Sequence, residues 1–236
     1  MSKALRFGVL ASIALLAVPM IVSAASDRDD DVNRIESSKR VFHEVMNTPD
    51  HGIPRDLLAS ARCIAIIPGT LKFAFVLGGN YGRGIASCRT ENGWSAPMFV
   101  ALNGGSVGYQ AGGSSTDIIL LFMNDHALQS LLGDKFKLGA DASVAAGPVG
   151  RTASADTDAR MNAEILSYSR AKGIFAGVSL DGAVVEADHS GDVAMYGHDV
   201  HRDEILHGHV VVPASANGLL EELNLYPAKV QTSEAN

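Results

Sequence analysis

The residues best suited to bind an anion lie in one stretch, Ile165–Val185, which reads ILSYSRAKGIFAGVSLDGAVV. Tyr168, Arg170 and Lys172 stand directly before a glycine-spaced apolar run that is typical of a β-strand. A buried strand has no use for two cations at its start. Because guanidinium and ammonium groups pair well with phosphate and carboxylate oxygens, the stretch predicts a surface that meets anionic groups. The alternative for each cation is an ordinary solvated or salt-bridged charge.

A second pattern could support nucleophilic catalysis. Residues 104–108 read GGSVG and satisfy G-x-S-x-G, and Asp117 and His126 follow Ser106 in the chain order of hydrolases. The nucleophile elbow of that class requires a helix directly after the serine. The following residues, VGYQAGG, do not begin a helix. We therefore predict a protein that is not an enzyme, with a serine hydrolase at Ser106 kept as an alternative.

Histidines near the C-terminal end could ligate a metal ion. His198 and His201 are three residues apart, and His207 and His209 are two apart, with acidic residues among them. Imidazole and carboxylate groups bind zinc, but this spacing does not match a known zinc site. We therefore predict no metal ion and no cofactor. An envelope metal-binding or stress protein remains the main alternative function.

Charge and composition limit the class of protein. The 236 residues include 26 acidic and 19 basic residues, which give a formal net charge of −7. This balance argues against a nucleic-acid binder held by bulk charge. Residues 57–90 hold four cations and no acid, whereas residues 181–209 hold seven acids and one arginine. The chain therefore combines a basic region with an acidic region.

The first 25 residues have the layout of a secretory signal peptide. Lys3 and Arg6 form a basic start, an apolar run covers Phe7–Val22, and small residues follow as a cleavage site. A membrane anchor is the alternative, although the run is short for one. We expect cleavage and a periplasmic or secreted protein that can attach to membranes peripherally. Residues 26–31 would then form an acidic tether and residues 227–236 a tail.

Residues 32–226 are expected to form one α+β domain. The apolar spacing of Val32–Met46 predicts an amphipathic helix, and Ala214–Leu223 predicts another near the C-terminus. From Arg62 to Met123, closely spaced strand-like runs with glycine-rich turns predict antiparallel pairing. The 24 glycines predict bent or bulged strands and a sheet curled into a half-barrel, covered by the terminal helices. A hairpin is expected across Ile174–Ala187.

The chain contains two cysteines, Cys63 and Cys88, each in a strand-like segment. An oxidising compartment would let them form a disulfide, and strand pairing could bring them together. Two buried free thiols are the alternative. The sequence leaves both open.

Several separated blocks, in this order, resemble the SYLF-domain family. The blocks are Ala61–Ala65, Gly78–Gly84, Trp94–Pro97, Gly105–Gly112, Gly147–Arg151, Tyr168–Arg170 with Gly173, and Tyr196–Gly197. The resemblance covers residues 35–212. It implies a lipid-binding module, because eukaryotic members are associated with phosphoinositide membranes, some of them with actin, and bacterial members are exported and presumed to bind phospholipid.

The resemblance therefore implies a non-enzymatic phospholipid-binding protein of the bacterial cell envelope. The chain lacks a lipoprotein cysteine and an SH3 domain, so neither a lipid anchor nor an adaptor role is carried over. We expect a phospholipid membrane surface or lipid as the partner, no nucleic acid and no actin. The sequence leaves the lipid and the oligomeric state open.

A headgroup site needs cations, backbone N–H groups and an apolar surface for the acyl part. Arg83 stands between Gly82 and Gly84, where missing side chains would let a phosphate approach the backbone. The candidate lipid-binding residues are Arg62, Lys72, Arg83, Tyr168, Arg170 and Lys172.

The predicted Val32–Met46 helix is a second candidate membrane contact. Lys39, Arg40 and Phe42 would then face the lipid. The alternative is a helix that covers the sheet, where burial of Phe42 would stabilise the fold.

Overall fold

Two very long strands form the centre of the sheet in this computed structural model, which describes residues 20–48, 52–149, 162–171 and 174–228. Side chains are described within these ranges except at residues 20–26, 72–78, 105–113 and 175. Strand β1 (Cys63–Thr90) pairs antiparallel with β3 (Met98–Phe122), and the short β2 (Gly93–Trp94) pairs with the end of β1. The predicted separate runs of residues 63–89 are therefore one bulged strand.

The other strands flank β3 at its two ends. Strand β6 (Ile165–Ala171) pairs antiparallel with residues 117–122 of β3, and it also pairs with β5 (Val144–Ala146) and β7 (Ile174–Gly177). Strand β8 (Val184–Ala187) pairs with residues 100–103 of β3 and with β4 (Lys135–Lys137). The predicted α+β class with a curved, largely antiparallel sheet is confirmed.

The expected hairpin across Ile174–Ala187 is wrong. Strand β7 pairs with β6, whereas β8 pairs with β3 and β4. The turn at Asp181-Gly182 is present, with Gly182 in the left-handed region at φ 85°. The turn separates two parts of the sheet, because β8 hydrogen-bonds to β3 and β4 whereas β7 hydrogen-bonds to β6.

Strand β1 folds back on itself, and two glycines allow the close approach. A Cβ at Gly84 would lie 2.2 Å from the carbonyl oxygen of Ile66, and one at Gly82 would lie 2.7 Å from Cγ2 of Ile67. The prediction that the Gly82 and Gly84 backbone is open to a phosphate is therefore wrong. The first half of the same strand already fills that space.

The two ends of β1 are joined covalently. Cys63 and Cys88 form a disulfide at a sequence separation of 25, and both are buried. The backbone N–H of Arg89 donates to the carbonyl of Arg62 at 2.8 Å. The disulfide therefore closes the loop that β1 makes when it folds back.

Each face of the sheet carries its own core because side chains alternate along the strands. On one face, Ile64 and Ile66 pack with Ile35, Phe42 and other buried residues of the terminal helices. On the opposite face, the neighbouring β1 residues pack with a second cluster that includes Leu131, Phe136, Ile205 and Leu206.

Helix α1 (Met20–Met46) covers the first face. It begins before the predicted start at Val32, so the expected tether of residues 26–31 lies within a helix. One reason why these residues are helical is the salt bridge between Asp31 and Arg34, which lie one turn apart at 2.8 Å. Helices α2 (Arg55–Ser60) and α6 (Asn217–Asn224) complete this cover.

The remaining helices are short. They are α3 (Asp125–Leu132), α4 (His189–Tyr196), α5 (Arg202–Leu206) and a 3-10 turn at Ala214–Ala216. Asn124 caps α3, as its side-chain oxygen accepts from the N–H of Ala127 at 2.8 Å. Among the described helices, none combines the length and apolarity that crossing a membrane requires.

Candidate functional site

Arg170, the central cation of the opening stretch, is held by two carboxylates. Its Nε and Nη2 donate to Oδ2 of Asp117 at 2.9 and 2.6 Å, and its Nη1 pairs with Glu44 of α1. Partial burial lowers the pKa of Arg170, and the charge of nearby Arg40 lowers it further. Arg170 therefore ties α1 to the edge of the sheet, and its charge is already compensated.

Tyr168, predicted to contact lipid, lies in the core instead. Its side chain is completely buried, and a Cβ at Gly147 would lie 2.1 Å from its ring carbon Cζ. Burial also raises the pKa of Tyr168 above its ordinary value. The lipid-contact prediction for Tyr168 is therefore wrong, because the ring fills the space between β6 and the segment after β5.

Two exposed apolar residues lie where strand β6 ends, beside the β1–β3 ladder, which continues past this point. Leu71 is 44% exposed and Ile174 is 73% exposed, although most large apolar side chains of the described sheet are buried. The register places Leu71 opposite Ser115 and Ile174 opposite Ala171. Both positions lie one or two residues beyond the Asp117–Arg170 pair. We call Leu71, Ser115, Ala171 and Ile174 the sheet end.

Two predicted lysines are close to the sheet end in sequence. The backbone of Lys72 lies opposite Ser114, next to Leu71. Its side chain lies outside the described set, and Lys172 falls in the short gap between β6 and β7. Asp117 is the acidic residue nearest to the sheet end in β3, and it already pairs with Arg170 and accepts from the N–H of Gly69 at 2.9 Å.

Arg83 belongs to a different network, centred on Asp188. Nε and Nη2 of Arg83 donate to Oδ2 of Asp188 at 3.1 and 2.6 Å, and Nη1 of Arg34 donates to the same oxygen at 2.8 Å. Burial alone would raise the pKa of Asp188. Hydrogen bonds from Ser190, Arg83 and Arg34 instead hold that pKa well below its usual range. Asp188 thereby joins α1, β1 and α4.

A cleft of about 260 Å³ opens beside this network. Three carboxylates and one guanidinium contribute to its walls, so its charge disfavours an anion. Its lining residues are Asp27, Asp30, Asp31, Arg83, Ser190 and Gly191.

Asp192 is a buried carboxyl that sequence reasoning missed. It is 1% exposed and accepts from the backbone N–H of Phe99 at 2.8 Å. Burial raises the pKa of Asp192 to about 7, against the lowering effect of the hydrogen bond from Phe99. The contact holds α4 against β3, which makes Asp192 a structural residue that titrates near neutral pH.

Arg62 lies on the surface, and its Nη2 is 2.8 Å from Oδ1 of Asp125 at the start of α3. The side chain of Arg62 is 54% exposed. Exposed ion pairs of this kind contribute little to stability. The role of Arg62 in lipid binding stays a prediction.

The candidate membrane helix packs against the protein. Phe42 is completely buried and meets the ring of Tyr226 edge-to-face at 5.8 Å. The Nζ of Lys39 lies 2.6 Å from where a Cβ of Gly218 would stand. Membrane contact by Phe42 is therefore wrong, because this side of α1 covers the sheet. Arg40 is exposed and donates to Oγ of Ser37 at 3.0 Å.

The geometry of a serine hydrolase is not assembled. The backbone of Ser106 lies within β3 opposite Gly78, so a strand and not a helix follows the serine. Asp117 is engaged by Arg170, and Nδ1 of His126 lies 2.6 Å from Glu164. Asp117 and His126 therefore have separate partners.

The late histidines are also separated. His189 lies 3.7 Å from Asp199, His207 pairs with Asp203 at 3.1 Å, and Nδ1 of His198 lies 2.9 Å from the carbonyl of Tyr196. Three or more ligating side chains do not converge on a metal position anywhere in the described ranges.

These observations define the class of the protein as an α+β module, with a curled sheet between two helix-covered cores. A family model described as Las17-binding protein actin regulator, Ysc84, matches residues 103–226. The chain belongs to this Ysc84 family, also known by its SYLF domain.

Relatives resemble most of this chain. SH3 domain-containing YSC84-like protein 1 of Rattus norvegicus is 32% identical over 197 residues, which cover 82% of this chain and 58% of the relative. The human protein of the same name is 31% identical over 196 residues, covering 81% and 57%. Protein YSC84 of Saccharomyces cerevisiae is 35% identical over 178 residues, covering 74% and 38%. The chain thus spans between about two fifths and three fifths of these relatives.

The comparisons correct one expectation. We expected no actin partner, but the matching family is described as an actin regulator that binds Las17. That expectation is therefore wrong at the level of the family. It rested on the expected location in a bacterial cell envelope, whereas the matching family is described by actin regulation.

Proposed function

We propose that this chain is a non-enzymatic protein that binds phospholipid membranes through the sheet end. The observation that carries the proposal is the exposure of Ile174 and Leu71, at 73% and 44%, where strand β6 ends, in a sheet whose other described large apolar residues are mostly buried. Lys72 follows Leu71 directly. Apolar side chains next to a cation suit the boundary between acyl chains and anionic headgroups.

The contact should be weak and reversible. Full burial of an isoleucine or leucine side chain contributes about 1.5–3 kcal/mol, and a cation near an anionic membrane contributes about 1 kcal/mol. Insertion at the headgroup boundary buries each side chain only in part. The summed binding free energy corresponds to peripheral membrane binding. This binding becomes stronger when several copies of the chain or further cations contact the same membrane.

Arg170 supports this surface from within. Its pairing with Asp117 and Glu44 fixes the end of β6 against α1 and β3. The strand that leads to Ile174 is therefore held in place where it leaves the core. We assign Arg170 a positioning role in lipid binding.

Liposome co-sedimentation of the full chain tests the proposal. Ile174→Ser and Lys72→Ala should each reduce binding to anionic vesicles several-fold, whereas Val211→Ser should leave it unchanged. Val211 is a matched control because its apolar side chain is 89% exposed outside the sheet end. Wild-type binding by both sheet-end variants, or equal loss in all three, would contradict the proposal. Circular dichroism confirms that each variant is folded.

Actin binding is a second candidate, favoured by the family description. Co-sedimentation with filamentous actin, in the presence and absence of vesicles, tests it directly. A pellet that contains the chain only when filaments are present supports actin binding. Equal amounts in the pellet with and without filaments argue against it.

Export to the cell envelope is a further part of the proposal. It is supported by the layout of residues 1–25 and by the buried disulfide between Cys63 and Cys88. Cleavage after Ala25 would leave Asp31 and Arg34 to hold the start of α1. N-terminal sequencing of the fractionated protein checks this, and an uncleaved chain with reduced cysteines would overturn it.

A further inference from the structure

We infer that helix α4 is a pH-sensitive clasp, which closes on β3 and on the start of α1 when Asp192 is protonated and opens locally when Asp192 ionises. The clasp lies at the buried junction of α1, β1, β3 and α4, away from the sheet end. Three features of this junction support its role: the contacts of α4 with Phe99, the balance of buried charge, and the position of the cleft.

The first turn of α4 holds both backbone groups of Phe99 in β3. The N–H of Phe99 donates to Oδ1 of Asp192 at 2.8 Å, and the N–H of Asp188 donates to the carbonyl of Phe99 at 2.9 Å. A Cβ at Gly191 would lie only 3.0 Å from Cβ of Phe99, so the helix and the strand are in close contact. Because Asp192 is 1% exposed, its carboxyl can be solvated only if this turn moves away from Phe99.

Arg34 connects the same contact to α1. Its guanidinium lies over the ring of Phe99, 5.0 Å from the centroid, and it pairs with Asp31 and Asp188, each at 2.8 Å. Arg83 of β1 pairs with the same oxygen of Asp188 at 2.6 Å. Movement of α4 would therefore separate Asp188 from both arginines, and α1 and β1 would lose the carboxylate that they share.

The buried charges of this junction balance when Asp192 carries a proton. Among the described residues, the directly paired groups are then two carboxylates and two guanidiniums, namely Asp31, Asp188, Arg34 and Arg83. Ionised Asp192 adds a third carboxylate to a region that water screens poorly. A buried charge without its own partner is costly, so ionisation favours a state in which Asp192 reaches water.

The other groups that face Asp192 do not restore the balance. Arg202 of α5 lowers the pKa of Asp192, but its Nη2 is 2.7 Å from Asp134, so its charge is shared. Tyr196 of α4 stays neutral, because burial raises its pKa well above the usual range. Burial raises the pKa of Asp192 to about 7 despite Arg202 and the N–H of Phe99.

The cleft of about 260 Å³ lies between the elements that the clasp joins. Asp31 of α1, Arg83 of β1, and Ser190 and Gly191 of α4 contribute to its walls. Asp192 follows Gly191 directly in the first turn of α4. Widening of this cleft would therefore bring water towards Asp192, and it would separate the carboxylates of α1 from those of α4.

The opening should increase as the pH rises from about 5 to 7. In the closed state Asp192 has a pKa of about 7, whereas a solvated aspartate has a pKa of about 3.9. The closed state binds the proton more tightly, so its advantage is complete at acidic pH and is lost as the pH rises through the closed-state pKa. These two values predict an opening equilibrium constant about fiftyfold larger at pH 7 than at pH 5, with little further rise above about pH 8.

Hydrogen–deuterium exchange of the full chain, followed by mass spectrometry, measures this opening. The reporters are the peptides that contain the Phe99 amide and the amides of α4, and strand β6 is the reference segment. After correction for the intrinsic effect of pH on amide exchange, exchange of the reporters should rise about fiftyfold from pH 5 to 7. Exchange of β6 should stay constant.

Three variants separate ionisation of Asp192 from other effects of pH. Asp192→Asn keeps a side-chain oxygen to accept from Phe99 but cannot ionise, so it should remove the rise. Asp125→Asn makes the same change at a carboxylate whose side chain is 72% exposed, and it should keep the rise. Asp31→Asn removes one carboxylate that faces Asp192, so it should make the rise several-fold smaller. It provides the comparison if Asp192→Asn does not fold.

Exchange of the wild-type reporters that does not depend on pH would overturn the inference, and this result needs no variant. An equal rise in the wild type and in Asp192→Asn, or in the wild type and in Asp31→Asn, would also overturn it. So would an equal rise in β6 and in the reporters, because the chain would then unfold as a whole and α4 would not open locally.

Discussion

The ring of Tyr168 lies against the α-carbon of Gly147, so closely that a Cβ at Gly147 would be 2.1 Å from the ring carbon Cζ. A Cβ at Gly177 would in turn lie 2.2 Å from the carbonyl oxygen of Gly147. Two sequence blocks that resemble the family, around residues 147 and 168, therefore meet in one tightly packed position. The requirement for glycine is steric: the missing side chain of Gly147 leaves room for the Tyr168 ring, and that of Gly177 leaves room for the carbonyl of Gly147.

Gly147→Ala should destabilise the protein. Overpacking of a dense core costs about 1–3 kcal/mol, and the added methyl group has no space beside the Tyr168 ring. Urea unfolding followed by circular dichroism measures the change. Gly133→Ala is the matched control, because its Cβ would meet nothing closer than 3.4 Å. Equal stability of the two variants would contradict the packing argument.

Arg170→Ala should lower the free energy of unfolding by about 1–3 kcal/mol, because it leaves the half-buried carboxylate of Asp117 without its strongest partner. Arg62→Ala removes an arginine–carboxylate pair that is far more exposed, so it should change stability by less than about 1 kcal/mol. Thermal denaturation of both variants provides the comparison. A larger effect at Arg62 than at Arg170 would refute the assigned positioning role.

Removal of the disulfide should cost about 3 kcal/mol, since the bond closes a loop of 25 residues in the unfolded chain. The Cys63→Ala/Cys88→Ala variant should unfold at lower urea than the wild type. A reducing agent should shift the wild type towards the variant and leave the variant unchanged. Thiol titration of the denatured protein provides the direct check, and two titratable thiols without reductant would show that the bond does not form.

Stability should decrease as the pH rises from about 4 to 7 because of Asp192. Burial raises the pKa of Asp192 to about 7 in the folded state, whereas an unfolded aspartate titrates near about 3.9. Between these values the folded state binds the extra proton, so raising the pH favours the unfolded state. Above the folded pKa this contribution is lost.

Asp192→Asn tests this pH dependence while keeping a side-chain oxygen to accept from Phe99. The variant should lose the decline in melting temperature across that window. Asp188 acts in the opposite sense, since its lowered pKa contributes stability that is lost only at more acidic pH. An identical pH profile for wild type and Asp192→Asn would show that Asp192 does not titrate in this range.

Much of the fold could be predicted because it depends on local patterns. The apolar period of Ile35, Phe42 and Val45 predicts the helix face that is buried, and Asn124 predicts its own helix cap. The glycine content and the alternation of strand residues predict a curved antiparallel sheet. These features are encoded within a few residues of each position.

The contacts of the candidate site could not be predicted in the same way. The partners of Arg170 are 53 and 126 residues away in sequence, Asp188 is 105 residues from Arg83, and Gly147 is 21 residues from Tyr168. Cations that look available in the sequence are paired in the fold, and a tyrosine that looks like a contact residue is buried. The sequence alone shows which charged and polar side chains exist, but not which of them already have a partner within the folded chain.

The sequence by itself therefore determined the class of fold, the family and the uneven distribution of charge. The tertiary structure decided which face of α1 is covered, which arginines are neutralised and which apolar residues stay exposed. It also changed the meaning of the stretch from Ile165 to Val185, where Ile174 replaces Tyr168 as the exposed residue. The physical reason is one of range. The apolar periodicity of the sequence determines structure over a few residues, whereas burial and ion pairing depend on distant segments that the fold-back of a single long strand brings together.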